Sequence, residues 1–232
     1  RAVALASDYA RKRVAFGKPL IEHALHAGTL AALESETRGA TLMVLYAAAL
    51  LGRDETGAAT ETERKLLRLL TPVTKLYTAK QCVAVCSEAL ESFGGAGYVE
   101  DTGLPVLLRD AQVLAIWEGT TNVLSLDLLR AASKDDSVPI WLADVNTRLD
   151  ALQDAELSGA LAVIRARIRA FEELLQSPDL EAEARRIAYA MARIHGAVLL
   201  AEQAAWEPGQ AGAVVGAGKS LELWLSREIV TA

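Results

Sequence analysis

Glu118 stands in the segment Ile116-Trp117-Glu118-Gly119-Thr120-Thr121-Asn122, directly after an indole and directly before a glycine. A carboxyl group held beside Trp117 and away from water has its pKa raised, because burial disfavours the charged form. A base that acts on a carbon acid needs that shift. Thr120 or Thr121 then caps a helix whose positive end favours an anion. Upstream, Gly94, Gly95 and Gly97 lie in Gly94-Gly95-Ala96-Gly97-Tyr98 and leave the backbone open to close approach. The ligand best served by such a chain is a phosphate that accepts bonds from exposed N–H groups. Arg13 with Phe16-Gly17-Lys18-Pro19-Leu20, and the pair Arg109-Asp110, complete a spread-out set. A loop glutamate or a glycine turn says little alone; the ordered combination says more.

Other chemistries find less support. Gly212-Ala213-Val214-Val215-Gly216-Ala217-Gly218-Lys219-Ser220 imitates a phosphate-binding loop, but the pattern needs glycine where Ala213 stands, and no apolar strand precedes it. A glycine loop joining helices is the better reading. His23, His26 and His195 have no Cys or carboxylate at ligand spacing, so surface or satisfied helix positions are expected and no metal site is. Cys82 and Cys86 sit four apart in a helical segment, which suggests two small buried thiols in a reducing compartment rather than a disulfide framework or a zinc site. No Gly-x-Ser-x-Gly elbow is present.

The elements that must position these groups are helical. Of 232 residues, 52% are hydrophobic and 23% charged, enough apolar surface for a folded chain. Ala and Leu dominate while aromatics make up 5%, which favours helices over sheets. The net charge of −6 gives no attraction for phosphate backbones or anionic membranes, and no apolar run approaches the length of a membrane span. A first helix is expected to about Ala15, stopping in Phe16-Gly17-Lys18-Pro19; a long one over 22–51; and a third, capped by Thr60, with Leu69, Val73, Leu76, Val83 and Leu90 on one face and a kink or restart at Pro72. Shorter helices follow over 104–113 and 122–132. Ser133-Lys134-Asp135-Asp136-Ser137 reads as a linker to a second helical bundle over 138–232. There Leu157, Leu161, Ile164, Ile168, Phe171 and Leu175 form a seam against Leu180, Ile187, Met191, Ile194 and Val198, closed by a helix around Leu221, Trp224, Leu225 and Ile229. That unit is expected to keep a core of its own. It carries nine Lys or Arg against thirteen Asp or Glu, which argues against a nucleic-acid partner. Arg1 already lies inside the first amphipathic pattern with no cap before it, as in a fragment of something longer.

The runs YARKRVAFGKPL, ESFGGAGYVEDTGLPVLLRDAQV and IWEGTTNVLSLDLLR, in that order, resemble the C-terminal helical domain of the acyl-CoA dehydrogenase family, over about residues 1–132. With Trp in IWEGTTN and an extra helical unit behind it, the chain looks most like the AidB-like branch. The resemblance implies an all-α fold, FAD as cofactor, an acyl-CoA thioester as substrate, a homo-oligomer (dimer or tetramer) and an electron acceptor such as a flavoprotein. It implies that Glu118 is the catalytic base and that Arg13 and Phe16 touch the flavin nucleotide. Gly94, Gly95 and Gly97 would reach the pyrophosphate of a neighbouring subunit's FAD, with Thr120 and Asn122 near the adenosine part. Ala24 and Glu91 depart from the pattern, standing where members often carry glutamine. The implied location is intracellular: cytoplasm in a bacterium, mitochondrial matrix in a eukaryote. Two other roles are compatible with the motifs, a flavoprotein that binds or protects without turnover and a helical oligomerisation platform.

Overall fold

The computed structural model describes residues 1–152, 154–209 and 216–226. Helices dominate: α1 (Ala2–Lys12), α2 (Ala24–Glu55), α3 (Glu61–Glu91), α4 (Pro105–Leu114), α5 (Thr121–Lys134), α6 (Ser137–Ala151), α7 (Ser158–Leu174), α8 (Leu180–Trp206) and α9 (Ala217–Ser226). The all-α expectation holds, with one small exception. The first helix stops at Lys12 instead of Ala15, and the chain turns through a two-stranded antiparallel hairpin, β1 (Val14–Ala15) with β2 (Lys18–Pro19). The cause is local: Phe16 (φ 50°) and Gly17 (φ 85°) both take left-handed backbone, the geometry a tight hairpin turn demands.

Helices α2 and α3 form a long antiparallel pair. Thr60 ends the connection with a complete capping box, its hydroxyl accepting from the Glu63 N–H while the Glu63 carboxylate accepts from the Thr60 N–H. Ion pairs Arg53–Glu63 and Arg64–Asp54 tie the same turn. Pro72 does not end α3; it is buried within a helix that continues to Glu91. A helix absent from the sequence expectation, α6, presents Trp141, Val145 and Leu149 to the core at steps of four residues.

Among the described residues, two hydrophobic cores result. The smaller joins Ala2, Ala6 and Ala10 of α1 to Leu30 and Leu33 of α2, Val85, Ala89 and Phe93 at the end of α3, and Ala111 of α4. The larger runs from Met43 and Leu69 through Leu128, Trp141, Ile164 and Phe171 to Met191 and Trp224. The expected seams are present, with Leu161, Ile164, Ile168 and Phe171 facing Ile187, Met191, Ile194 and Val198. This core, however, does not divide at the 133–137 break, where the helices part only at Asp135 and Asp136. Helices α8 and α9 pack on α2, and α8 also packs on α3 and α5, so the later helices do not keep a separate core. Ile229, expected in the last helix, lies outside the described residues.

Trp224 is the bolt. Its ring lies where an added Cβ at Gly39 would come within 2.4 Å and one at Gly196 within 2.5 Å, so neither position admits a side chain without movement. Around it, the Arg193 guanidinium donates to the Glu36 carboxylate at 2.6 Å, to the Tyr77 hydroxyl at 2.9 Å and to the Trp224 carbonyl. Tyr77 donates in turn to Glu36 at 2.8 Å, and the Trp224 indole N–H to the Arg193 carbonyl. Burial pushes the Tyr77 hydroxyl pKa well up, so it stays protonated as a donor.

Candidate active site

The Phe16 hairpin is held on the smaller core. The Leu20 N–H donates to the Arg13 carbonyl, the Lys18 ammonium to the Glu22 carbonyl, and the His23 ring bonds the Ala15 carbonyl at 3.0 Å. Phe16 itself is 95% exposed and Arg13 is exposed. The glycine turn begins where α3 ends, on the same core, and its members differ. Gly94 (φ 59°) and Gly95 are exposed, with nothing within 4 Å of where a Cβ would stand. Gly97 is buried, and a Cβ there would meet the Leu90 carbonyl oxygen at 2.0 Å. Its glycine is explained by packing on the end of α3, without any ligand.

Beyond the turn, Arg109 reaches back to Glu100 with two guanidinium bonds of 2.7 and 3.0 Å, securing the entry to α4. Both charged groups are exposed, so the pair orients more than it stabilises. Glu118 occupies the connection between α4 and α5. Lys75 of α3 fixes that connection, its ammonium donating to the carbonyls of Leu114 at 2.6 Å and Trp117 at 3.0 Å. Nothing in the sequence pattern distinguishes Lys75 from any other helix lysine. Thr120 is the N-cap of α5 but makes no side-chain capping bond, which leaves the N–H groups of the first turn open; Asn122 is exposed beside them.

Phe16 (φ 50°) and Glu118 (φ 57°) are the non-glycine residues with left-handed backbone among the described residues, and each precedes a left-handed glycine, Gly17 or Gly119. Such backbone costs on the order of 1–3 kcal/mol and concentrates at functional positions. The expected dry setting for Glu118 is not supplied by this chain, however: Trp117 is 69% exposed and Glu118 is exposed with it. The Leu124 side chain packs against the loop at Gly119, where an added Cβ would meet it at 3.0 Å, but it leaves Trp117 and Glu118 exposed. No hydrogen bond or ion pair among the described residues joins the Glu118 loop to the Phe16 hairpin; each is placed by its own helices.

Of the other sequence expectations, that for His195 turns out differently. His195, expected as a surface or satisfied position, is buried in α8 with no partner on either ring nitrogen and with Tyr46 edge-on at 5.0 Å. Burial, reinforced by the nearby Arg148 guanidinium, lowers its pKa to about 3. Cys86 is buried and Cys82 half-buried; a hydrogen bond from Cys86 lowers the Cys82 thiol to about 7. Most of the phosphate-loop imitation lies outside the described residues, but its end is informative. The N–H groups of Gly216 and Ala217, at the start of α9, both donate at 2.8 Å to the Glu207 carboxylate, which also holds Arg38. The protein's own carboxylate takes the bonds a phosphate would need.

The family described as acyl-CoA dehydrogenase, C-terminal domain, matches residues 1–133, and a family described as acyl-CoA dehydrogenase 11 C-terminal domain-like matches residues 138–230. Acyl-CoA dehydrogenase family member 11 of Caenorhabditis elegans is 42% identical over 219 residues, covering 88% of this chain and 35% of that protein. The putative acyl-CoA dehydrogenase AidB of Escherichia coli is 32% identical, over 73% of this chain and 30% of its own length. The resemblance to AidB is therefore present but weaker than that to the nematode protein. The crystal structure of C. elegans ACDH-11 in complex with C11-CoA superposes with a TM-score of 0.90 at 38% identity, over 100% of this chain and 41% of that one. The chain thus spans about a third of the length of these curated relatives. With matched sequence, the same helical architecture, and a strained glutamate in the loop before α5, the chain belongs to the acyl-CoA dehydrogenase family.

Proposed function

We propose that this chain is the C-terminal part of an FAD-dependent acyl-CoA dehydrogenase, in which Glu118 removes the α-proton of an acyl thioester. The observation that carries the reading is the pairing of left-handed backbone at Phe16 and Glu118 with family membership, since these are two of the residues that the family resemblance assigns to flavin and base. Several residues fit a flavin nucleotide. Gly94 and Gly95 leave open backbone for a pyrophosphate, the uncapped start of α5 at Thr120 and Asn122 offers N–H groups to an anion, and Arg13 supplies positive charge beside the exposed ring of Phe16. Gly97 is buried and its missing side chain is required by Leu90, so its glycine is accounted for by packing whether or not its backbone reaches the pyrophosphate. Bound FAD would accept the β-hydride.

This chain's part is alignment and proton transfer. Lys75 holds the carbonyls on either side of Ile116, and the left-handed turn at Glu118 and Gly119 sets the direction of the carboxylate. The proton moves to a Glu118 carboxylate oxygen. Exclusion of water from that oxygen must come from protein outside these residues or from a second copy of the chain. Phe16, Leu25, Tyr98, Ile116 and Trp117 are large apolar side chains left exposed in or beside the motif segments, which supports assembly into a dimer or tetramer that covers them. Acyl-CoA is the substrate and a flavoprotein-type acceptor takes the electrons. No helix among the described residues is long and apolar enough to cross a membrane, and two free thiols suit an intracellular, reducing compartment.

The test is Glu118→Gln in the full-length protein. The amide cannot take the proton, so FAD stays bound while its bleaching by acyl-CoA slows by about 10²–10⁴-fold. Undiminished bleaching overturns the assignment. Sedimentation of the present chain should show self-association at micromolar concentration; a monomer throughout argues against the shared site.

A further inference from the structure

The connection between α4 and α5 is pinned on both sides of Glu118, by groups of different kinds. On the far side, Gly119 (φ 114°) lies against the Leu124 side chain, and the Leu124 N–H donates to the Thr120 carbonyl at 2.9 Å. That side is tied to the first turn of α5. On the near side the tie comes from another helix. Lys75, half-buried on α3, donates through its ammonium to the carbonyls of Leu114 and Trp117, which lie 39 and 42 residues further along the chain.

Each of these two bonds has its own consequence. The Leu114 carbonyl belongs to the end of α4, where carbonyls lack helical partners and the helix dipole favours a cation. Helix α4 has no basic residue in its last turn, so Lys75 supplies the cation from α3. The Trp117 carbonyl shares a planar peptide unit with the Glu118 N–H. The φ angle of Glu118 is the rotation of its Cα substituents relative to that plane. Holding the plane from one side, while Leu124 crowds Gly119 on the other, keeps Glu118 at φ 57°, a conformation that is unfavourable for a residue with a side chain. Among the described residues Lys75 makes no ion pair, so its hold on Glu118 runs through the backbone and not through the carboxylate. We propose that Lys75 is the positioning residue of the proton-transfer step, fixing the Trp117–Glu118 peptide unit so that the Glu118 carboxylate faces the α-carbon of the acyl thioester. The inference rests on the assignment of Glu118 as base. Lys75 itself takes no proton; a reacting group misplaced by about 1 Å costs on the order of 10²-fold in rate.

The experiment uses the full-length protein with FAD bound, mixed anaerobically with C11-CoA, the ligand in the structure of the nematode relative. The flavin bleaching rate at saturation and the half-saturating concentration are read separately. Lys75→Met should slow bleaching at saturation by about 10–10²-fold, with FAD content and helical circular dichroism unchanged and the half-saturating concentration within about twofold. Because Lys75 also caps α4, Lys75→Arg is the second variant: its guanidinium keeps donors for both carbonyls, and it should bleach faster than Lys75→Met. A Met variant within about twofold of the unsubstituted rate, a loss confined to the half-saturating concentration, loss of FAD or helicity, or an Arg variant as slow as Met overturns the proposal. Glu118→Gln is measured alongside. If it abolishes bleaching while Lys75→Met does not slow it, only the positioning role falls; if it bleaches undiminished, the base assignment falls and the role of Lys75 with it.

Discussion

Glu36 and Glu118 are both carboxylates set close to an indole, and the fold treats them in opposite ways. Glu36 is 2% exposed, takes bonds from Arg193 and Tyr77, and sits under the Trp224 bolt that joins α2, α8 and α9. Glu118 is exposed, has no side-chain bond, and stands on left-handed backbone held from below by Lys75. A buried charge survives only when its partners replace water, so every group around Glu36 has a structural task. At Glu118 the strained backbone and the uncapped start of α5 remain open, which suits the proposed role of binding a ligand or a second subunit.

The largest expected effect lies on the buried side. Arg193→Met leaves Glu36 without its ion-pair partner and should cost about 3–5 kcal/mol in urea unfolding. Replacing both, Glu36→Leu with Arg193→Met, should recover part of that loss. If the single variant loses less than about 1 kcal/mol, the cluster is not the bolt described here.

Acid should act on the same side of the comparison. His195 is held at about 3, below the ordinary value of 6.5, so the unfolded chain binds the extra proton between those values and stability rises with pH across that window. Lowering pH from 6.5 toward 3 should remove up to about 1.4 kcal/mol per unit, and His195→Leu should flatten this limb. An unchanged acid limb in the variant would assign the loss to other groups.

A smaller effect separates two neighbouring glycines at the site itself. Gly97→Ala forces a Cβ against the Leu90 carbonyl and should cost about 1–3 kcal/mol, whereas Gly95→Ala, with open space, should stay within about 0.5 kcal/mol. Equal costs by thermal denaturation would remove the distinction between a packing glycine and a ligand-facing one. The smallest effect is expected at the proposed base: Glu118→Gln should leave stability within about 0.5 kcal/mol, while on that proposal it abolishes turnover in the full-length protein. A large loss of stability would show that Glu118 has a structural partner after all.

Much of this molecule is determined by local sequence. The helices expected over 22–51 and 104–113 are found as Ala24–Glu55 and Pro105–Leu114, the two seams of the C-terminal region follow from apolar spacing, and Thr60 with Glu63 announces the start of α3, because these signals act within a turn or two of the chain. The motifs that carry Glu118, Phe16 and the glycine turn are legible for the same reason: each is a short run. Three things were decided only by tertiary packing. The chain break at Asp135 and Asp136 is real in sequence, yet the core crosses it, because Leu128, Trp141 and Met191 are buried by helices far apart in the chain. His195 reads as an ordinary helix residue until α2 brings Tyr46 over it and removes its water. Gly94, Gly95 and Gly97 are alike in sequence, but only the approach of the Leu90 carbonyl separates the third from the others. Burial and close contact are properties of neighbours that the local pattern does not contain, and so they appear only when the whole chain is folded.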